Sequence, residues 1–108
     1  MPTLVLVRHA QAAYSYPDHA RPLTDAGVDQ AARLGGVLSR QIGSFDVAVC
    51  SEAVRAQQTF AQISQRVPIR ESWCDRGVYN ADEEDILTLA RSFEGERALI
   101  VGHEPTIS

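Results

Sequence analysis

The sequence contains no lysine: all ten of its basic residues are arginine. It has two cysteines, one tryptophan and an aromatic fraction of 6%. Cys50 and Cys74 are too few for a disulfide framework, and neither has a second Cys or a His at zinc-finger spacing, so reduced thiols and no structural zinc are expected. The longest apolar runs are about five residues, against the roughly twenty that cross a bilayer. No charged-then-apolar leader precedes the first of them, so a cytoplasmic protein that does not engage membranes is expected. A net charge of -4 argues against a general nucleic-acid binder, whose affinity rests on neutralising many phosphates. What is there is an ordinary globular composition: 108 residues, 44% hydrophobic, enough for a single domain burying roughly two thirds of its unfolded surface. Using arginine alone reflects either codon bias or a local need, since Arg is the side chain that grips phosphate bidentately.

The chain is organised around Thr3-Leu4-Val5-Leu6-Val7-Arg8-His9-Ala10. Apolar or β-branched residues in unbroken succession predict a strand covered on both faces, the habit of a central strand in a parallel sheet. Arg8 and His9 then fall just past its carboxyl end, the edge at which open α/β sheets bind ligands. From Gln11 to Leu23 neither period is present, which predicts a loop of about thirteen residues, a length usually tied to function. Thr24 reads as an N-cap, Asp25 sits in the favourable first turn, and Val28, Ala31, Gly35, Leu38 and Ile42 recur at helical spacing, predicting a helix over 25–41 that Gly43 ends. A second strand is predicted over 45–50. Ser51 then caps a helix carrying Ala53, Ala56, Phe60 and Ile63 on one side and Arg55 in its first turn. A short strand over 67–71 and an irregular stretch over 72–81, holding Trp73, Asp75 and Tyr79, follow. The third helix starts at Asp82 with a first turn of four acids, buries Ile86, Leu89, Ala90 and Phe93, and stops at Gly95. A last strand over 98–101 turns away at Gly102-His103-Glu104-Pro105.

This alternation predicts an α/β fold, a three-layer α/β/α arrangement around a mostly parallel sheet, in one domain over 1–108. Pro105 to Ser108 resembles the opening of another helix at which the sequence stops, so the domain is either unusually short or lacks its C-terminal part. On such a sheet Arg8-His9, Ser51 to Arg55 and Gly102-His103 fall at one edge. Two His and two Arg there make a cationic pocket in an acidic protein, suited to a phosphoryl group. Phosphoryl transfer needs fixed positive donors and an in-line nucleophile. Arg8 and Arg55 can be the donors, His9 the nucleophile, its pKa depressed by neighbouring guanidinium groups, and His103 a charged donor to the transferring group.

Four segments extend this reading: Leu6-Val7-Arg8-His9-Ala10, Arg21-Pro22-Leu23-Thr24-x-x-Gly27, Ser51-x-x-x-Arg55-Ala56-x-Gln58-Thr59 and Val101-Gly102-His103-x-Pro105. Together they resemble the histidine phosphatase superfamily, the phosphoglycerate mutase-like phosphatases, and most of all its short SixA-type phosphohistidine phosphatase branch. The resemblance implies a phosphohistidine intermediate on His9, phosphate held by Arg8, Arg55 and His103, and Arg21 as a further phosphate or substrate contact, with no metal or other cofactor. Larger members supply a carboxylic acid to protonate the leaving oxygen. No clear equivalent stands here, and Asp75, Asp82 and Glu83 are candidates by position only. A P–N bond leaves with a basic nitrogen that is easily protonated, whereas an alkoxide needs a positioned acid, so the missing acid favours phosphohistidine, or another activated phosphate, over stable alkyl esters, and with the resemblance phosphohistidine in a protein is the expected substrate. The alternatives are a general small-molecule phosphomonoesterase and a non-catalytic phospho-ligand module. A cysteine-phosphatase loop from Cys50 to Arg55 is one residue short and lacks its glycines. A metal site from His9, His19 and His103 has no Cys or carboxylate at ligand spacing. His19 reads as a solvated loop residue, the acids over 82–85 as a solvated helix start, and Trp73 and Tyr79 as packing residues more than as the rim of a substrate mouth.

Overall fold

Four strands form one sheet, β1 (Thr3–Arg8), β2 (Phe45–Ser51), β3 (Ile69–Asp75) and β4 (Arg97–Gly102), in the order β1-β4-β2-β3 with every pairing parallel. The structure is a computed structural model that describes residues 3–14, 16–79, 83–93 and 95–102. Parallel neighbours need crossovers, and the helices supply them: α1 (Asp25–Gln41) leads to β2, α2 (Val54–Ser64) to β3, and α3 (Arg76–Tyr79) with α4 (Glu83–Arg91) to β4. Side chains alternate across each strand, which divides the core in two. Ala48, Cys50, Leu99 and Val101 pack with Leu38 of α1 and Ala56 and Ile63 of α2. Val49 and Ile100 pack with Val78 of α3, joined by Ile86, Leu89 and Phe93. This is the predicted three-layer α/β/α fold around a parallel sheet.

Several expected boundaries move. β1, expected at the centre of the sheet, pairs only with β4 among the described residues, and Leu4 is 43% exposed. Val5 and Val7 join one core cluster and Leu6 the other. An unbroken apolar run thus reports that both faces are covered and says nothing about the strand's edges. β3 starts later than expected and runs on to Asp75, because residues 71–75 pair in register with Val47 to Ser51. Its side chains are mostly exposed, and that weak apolar pattern hid it. Within it Trp73 packs edge-on against Phe93, 5.9 Å between ring centroids. Ser51 ends β2 instead of capping α2. The cap is Ala53, whose own side chain makes no capping bond, while Ser51 Oγ accepts from the Ala53 N–H at 3.2 Å. The loop after His9 holds a 3-10 turn over Asp18–Ala20, with His19 exposed, and a bridge between Ala12 and Leu23. Asp82 lies outside the described residues, and α4 starts at Glu83.

On α1 the expected Thr24 cap is present, its side chain accepting from the Gly27 N–H at 2.9 Å. The buried stripe, however, includes Gly27 in place of Val28, which is 38% exposed. Gly27 is buried because the chain leaving β1 crosses it, and a Cβ there would overlap the carbonyl of Gln11. In an open helix Gly→Ala stabilises by about 1 kcal/mol. Here the clash is with backbone, which cannot swing aside, so Gly27→Ala is expected to cost about 1–3 kcal/mol as an overpacked site does. A lowered urea midpoint checks this, and an unchanged or raised midpoint contradicts it.

Cys50 and Cys74 are both free thiols facing each other across the β2–β3 ladder, Sγ to Sγ 3.2 Å. Burial, together with the Cys74 thiol, pushes Cys50 up to about 12, so it is not a thiolate nucleophile near neutral pH and the cysteine-phosphatase alternative loses its attacking group. Among the described residues no helix is long and apolar enough to cross a membrane.

Candidate active site

All four strands are parallel, so their carboxyl ends share one edge. Arg8 is in register with Gly102, and the His9 N–H donates to the Gly102 carbonyl at 2.9 Å. Cys50 pairs with Val101 on the other side of β4, and α2 starts three residues beyond β2. Its N-terminus lies at the same edge, where unpaired backbone N–H groups and the helix dipole favour an anion.

The structure brings His9 and Arg55 together. Arg55, in the first turn of α2 and only 6% exposed, donates from Nε to His9 Nε2 at 3.2 Å. The other ring nitrogen, Nδ1, lies 2.7 Å from the Ala10 carbonyl oxygen. A guanidinium N–H can only donate and a carbonyl can only accept, so the two contacts select one tautomer: proton on Nδ1, lone pair on Nε2. Burial holds the imidazole below its usual 6.5; the charges of Arg55, Arg8 and Arg21 push the same way, and the bond to Ala10 opposes them.

On His9 opens a cavity of about 410 Å³ lined by Arg8, His9, Gln11, Arg21 and Gln30 with the small residues Ala10 and Ala12, and Arg55 reaches it through its contact with His9 Nε2. Arg21 is aimed by a bond from its Nε to the Ala13 carbonyl at 3.0 Å. Its segment is tied to α2, where Gln58 Oε1 accepts from the Leu23 N–H at 2.7 Å. Thus Arg8, His9, Arg21 and Arg55 meet at one place. His103, next in sequence after Gly102, lies outside the described residues. Of the candidate acids, Asp75 lines a different cavity with Val78, Ile86 and Leu89 of the opposite layer, and its Oδ1 accepts from the Gly77 N–H at 2.7 Å. The Asp82 and Glu83 side chains lie outside the described residues. Among the described residues no three His, Cys, Asp or Glu side chains gather as a metal site.

Three further residues of the site, Gln30, Gln58 and Thr59, carry no separate signal in the sequence. Gln30 Oε1 accepts from the Gln11 N–H at 3.0 Å, and nothing marks it among the polar residues of α1. Gln58 and Thr59 stood in the third motif without a task. Thr59, fully buried, accepts at Oγ1 from the Ala10 N–H at 3.0 Å and donates to the Arg55 carbonyl at 2.8 Å.

Comparison with known proteins identifies the family and the fold. The sequence pattern of the histidine phosphatase superfamily (branch 1) matches residues 4–77. An uncharacterized protein of Mycobacterium leprae is 34% identical, the match covering 94% of this chain and 66% of that protein. Among solved structures, a Nakamurella multipartitia protein provisionally named phosphohistidine phosphatase SixA superimposes with a TM-score of 0.83 at 37% identity, over 98% of this chain and 61% of its own. An Agrobacterium tumefaciens protein provisionally named in the same way gives 0.85 at 29% identity, over 99% and 73%. The chain therefore spans about two thirds of the length of the curated relatives it matches. With Arg8, His9, Arg21 and Arg55 all inside the matched region, this chain belongs to the histidine phosphatase superfamily, and within it resembles the SixA-type branch.

Proposed function

We propose that this chain is a phosphatase that removes a phosphoryl group from phosphohistidine in a protein, through a covalent intermediate on His9. The observation that carries the reading is the Arg55 Nε to His9 Nε2 contact of 3.2 Å, which holds the attacking lone pair and a phosphate-gripping cation at one point. A phosphoryl group entering the cavity takes over the Arg55 donor through its oxygens and leaves Nε2 free to attack. Arg8 and, from the edge of the pocket, Arg21 add positive charge where the equatorial oxygens gather charge in transfer. By the family resemblance His103 joins them. In the first step the Nε2–P bond forms as the P–N bond to the substrate breaks, the electron pair going to the departing nitrogen, which takes a proton from water. In the second, water attacks phosphorus, the Nε2–P bond breaks, inorganic phosphate leaves and the lone pair returns to Nε2. Asp75 lines another cavity and so is not placed to protonate an alkoxide at this pocket, which fits a substrate whose leaving nitrogen needs no positioned acid.

Phosphate release from a phosphohistidine peptide and a phosphoserine peptide, measured with a chelator present, tests this. Release from the first far faster than from the second is expected. Equal rates point to a general phosphomonoesterase, and tight binding without release points to a phospho-ligand module. Because only neutral His9 attacks, kcat/KM should rise with pH through a value below 6.5 and level off by neutrality. Arg21→Gln removes one of the depressing charges, so its acid limb should move up in pH. The same group acts on folding. With a lower pKa folded than unfolded, His9 contributes stability present above 6.5 and lost as pH falls toward the folded value.

A further inference from the structure

We propose that Thr59 is a positioning residue that aims His9, acting through the backbone of Ala10. This inference rests on His9 being the nucleophile. Four contacts close a ring. The Ala10 N–H donates to Thr59 Oγ1 at 3.0 Å, Thr59 Oγ1 donates to the Arg55 carbonyl at 2.8 Å, Arg55 Nε donates to His9 Nε2 at 3.2 Å, and His9 Nδ1 donates to the Ala10 carbonyl at 2.7 Å. One hydroxyl, used both as acceptor and as donor, thereby locks the residue after the nucleophile to the helix that carries Arg55.

The consequence follows from which atoms Thr59 holds. Both backbone polar groups of Ala10 are engaged, the N–H by Thr59 and the carbonyl by the imidazole. Rotation of the Ala10 backbone would carry the carbonyl away from Nδ1, and loss of the hydroxyl's bond to the Arg55 carbonyl would loosen the Arg55 donor at Nε2; with both contacts loosened the imidazole can enter its other tautomer, in which Nε2 bears the proton and cannot attack. The neighbouring Gln11 N–H is held by Gln30, which is exposed, whereas Thr59 is fully buried. Burial shields the Thr59 hydroxyl from bulk solvent and strengthens its bonds relative to those of an exposed side chain. A Thr bonded back to the carbonyl four residues earlier slightly destabilises its own helix. A buried aliphatic residue of the same shape would serve packing alone, so the hydroxyl at this position is explained by the second bond, to Ala10.

Thr59→Val keeps the shape and removes the acceptor; Thr59→Ser keeps the hydroxyl. Two readouts separate positioning from folding: turnover of a phosphohistidine peptide, and NMR of the histidine ring nitrogens, with the His9 signals identified by their loss in His9→Ala. Thr59→Val is expected to lower kcat about 10- to 100-fold, the cost of a slightly misplaced group, with KM little changed, and to populate both His9 tautomers. Thr59→Ser restores kcat and the single Nδ1–H tautomer. If valine disturbs α2, Thr59→Ala repeats the comparison with no added bulk. A valine or alanine variant with wild-type kcat and a single Nδ1–H tautomer overturns the proposal, as does a serine variant that folds normally yet stays slow. Should the wild type release no phosphate, the ring-nitrogen spectra still decide the role of Thr59, so failure of the phosphatase reading and failure of this one are told apart.

Discussion

Replacing His9 by alanine should lower phosphate release by at least about 10³-fold, because it removes the only step by which the account breaks the substrate bond. Binding should survive. Arg8, Arg21 and Arg55 remain at the pocket, and Arg55 in the variant has lost the Nε2 acceptor it holds at 3.2 Å. A buried guanidinium without that acceptor favours an incoming anion, so inorganic phosphate, titrated by calorimetry, should bind His9→Ala at least as tightly as the wild type. If turnover persists in the variant, the nucleophile lies elsewhere. If phosphate binding is lost along with turnover, His9 serves the pocket structurally and not as the attacking group.

Arg55→Lys should cost about 10²- to 10³-fold in kcat, the usual loss for one donor aimed at transition-state charge. Charge is kept, so a purely long-range effect predicts little change. The guanidinium, however, offers a planar fork that can bond Nε2 at rest and phosphate oxygens during transfer, and an ammonium on a flexible stem cannot reproduce both. Arg55→Ala adds a second signature. Among the charges that lower the His9 pKa, Arg55 is the largest, so its removal should move the acid limb of the pH profile upward, toward the ordinary histidine value. Steady-state kinetics on both variants across pH check this. A lysine variant close to wild type would remove Arg55 from the transition state, and an alanine variant with an unmoved acid limb would remove it from the tuning of His9.

The layered fold was legible because apolar runs at Leu4 to Val7, Val47 to Cys50 and Ala98 to Val101 alternate with helical spacing, and that alternation admits little besides a parallel sheet. Convergence of Arg8, His9 and Arg55 followed from the same alternation, since parallel strands put all carboxyl ends at one edge. The edge position of β1 was not legible, because hydrogen-bonded neighbours leave no mark on a strand whose faces are both covered. Nor was the length of β3, whose exposed side chains carry no period. Of the site, the tautomer of His9 and the task of Thr59 depend on contacts between residues 46 and 49 positions apart, which local pattern cannot supply. Gly27 illustrates the intermediate case: its place in a motif was visible, and the reason, a backbone crossing at Gln11, was not.

The central claim, that the phosphoryl group passes through Nε2 of His9, is tested most directly by trapping it. Enzyme mixed with a phosphohistidine peptide and quenched in alkali, where a phosphoryl–imidazole bond survives, is digested and its peptides weighed. The account predicts the mass of one phosphoryl group on the peptide containing His9, lost on acidification and absent from His9→Ala. Phosphate release at full rate with no phosphoryl group on that peptide, or with one on another residue, would contradict it.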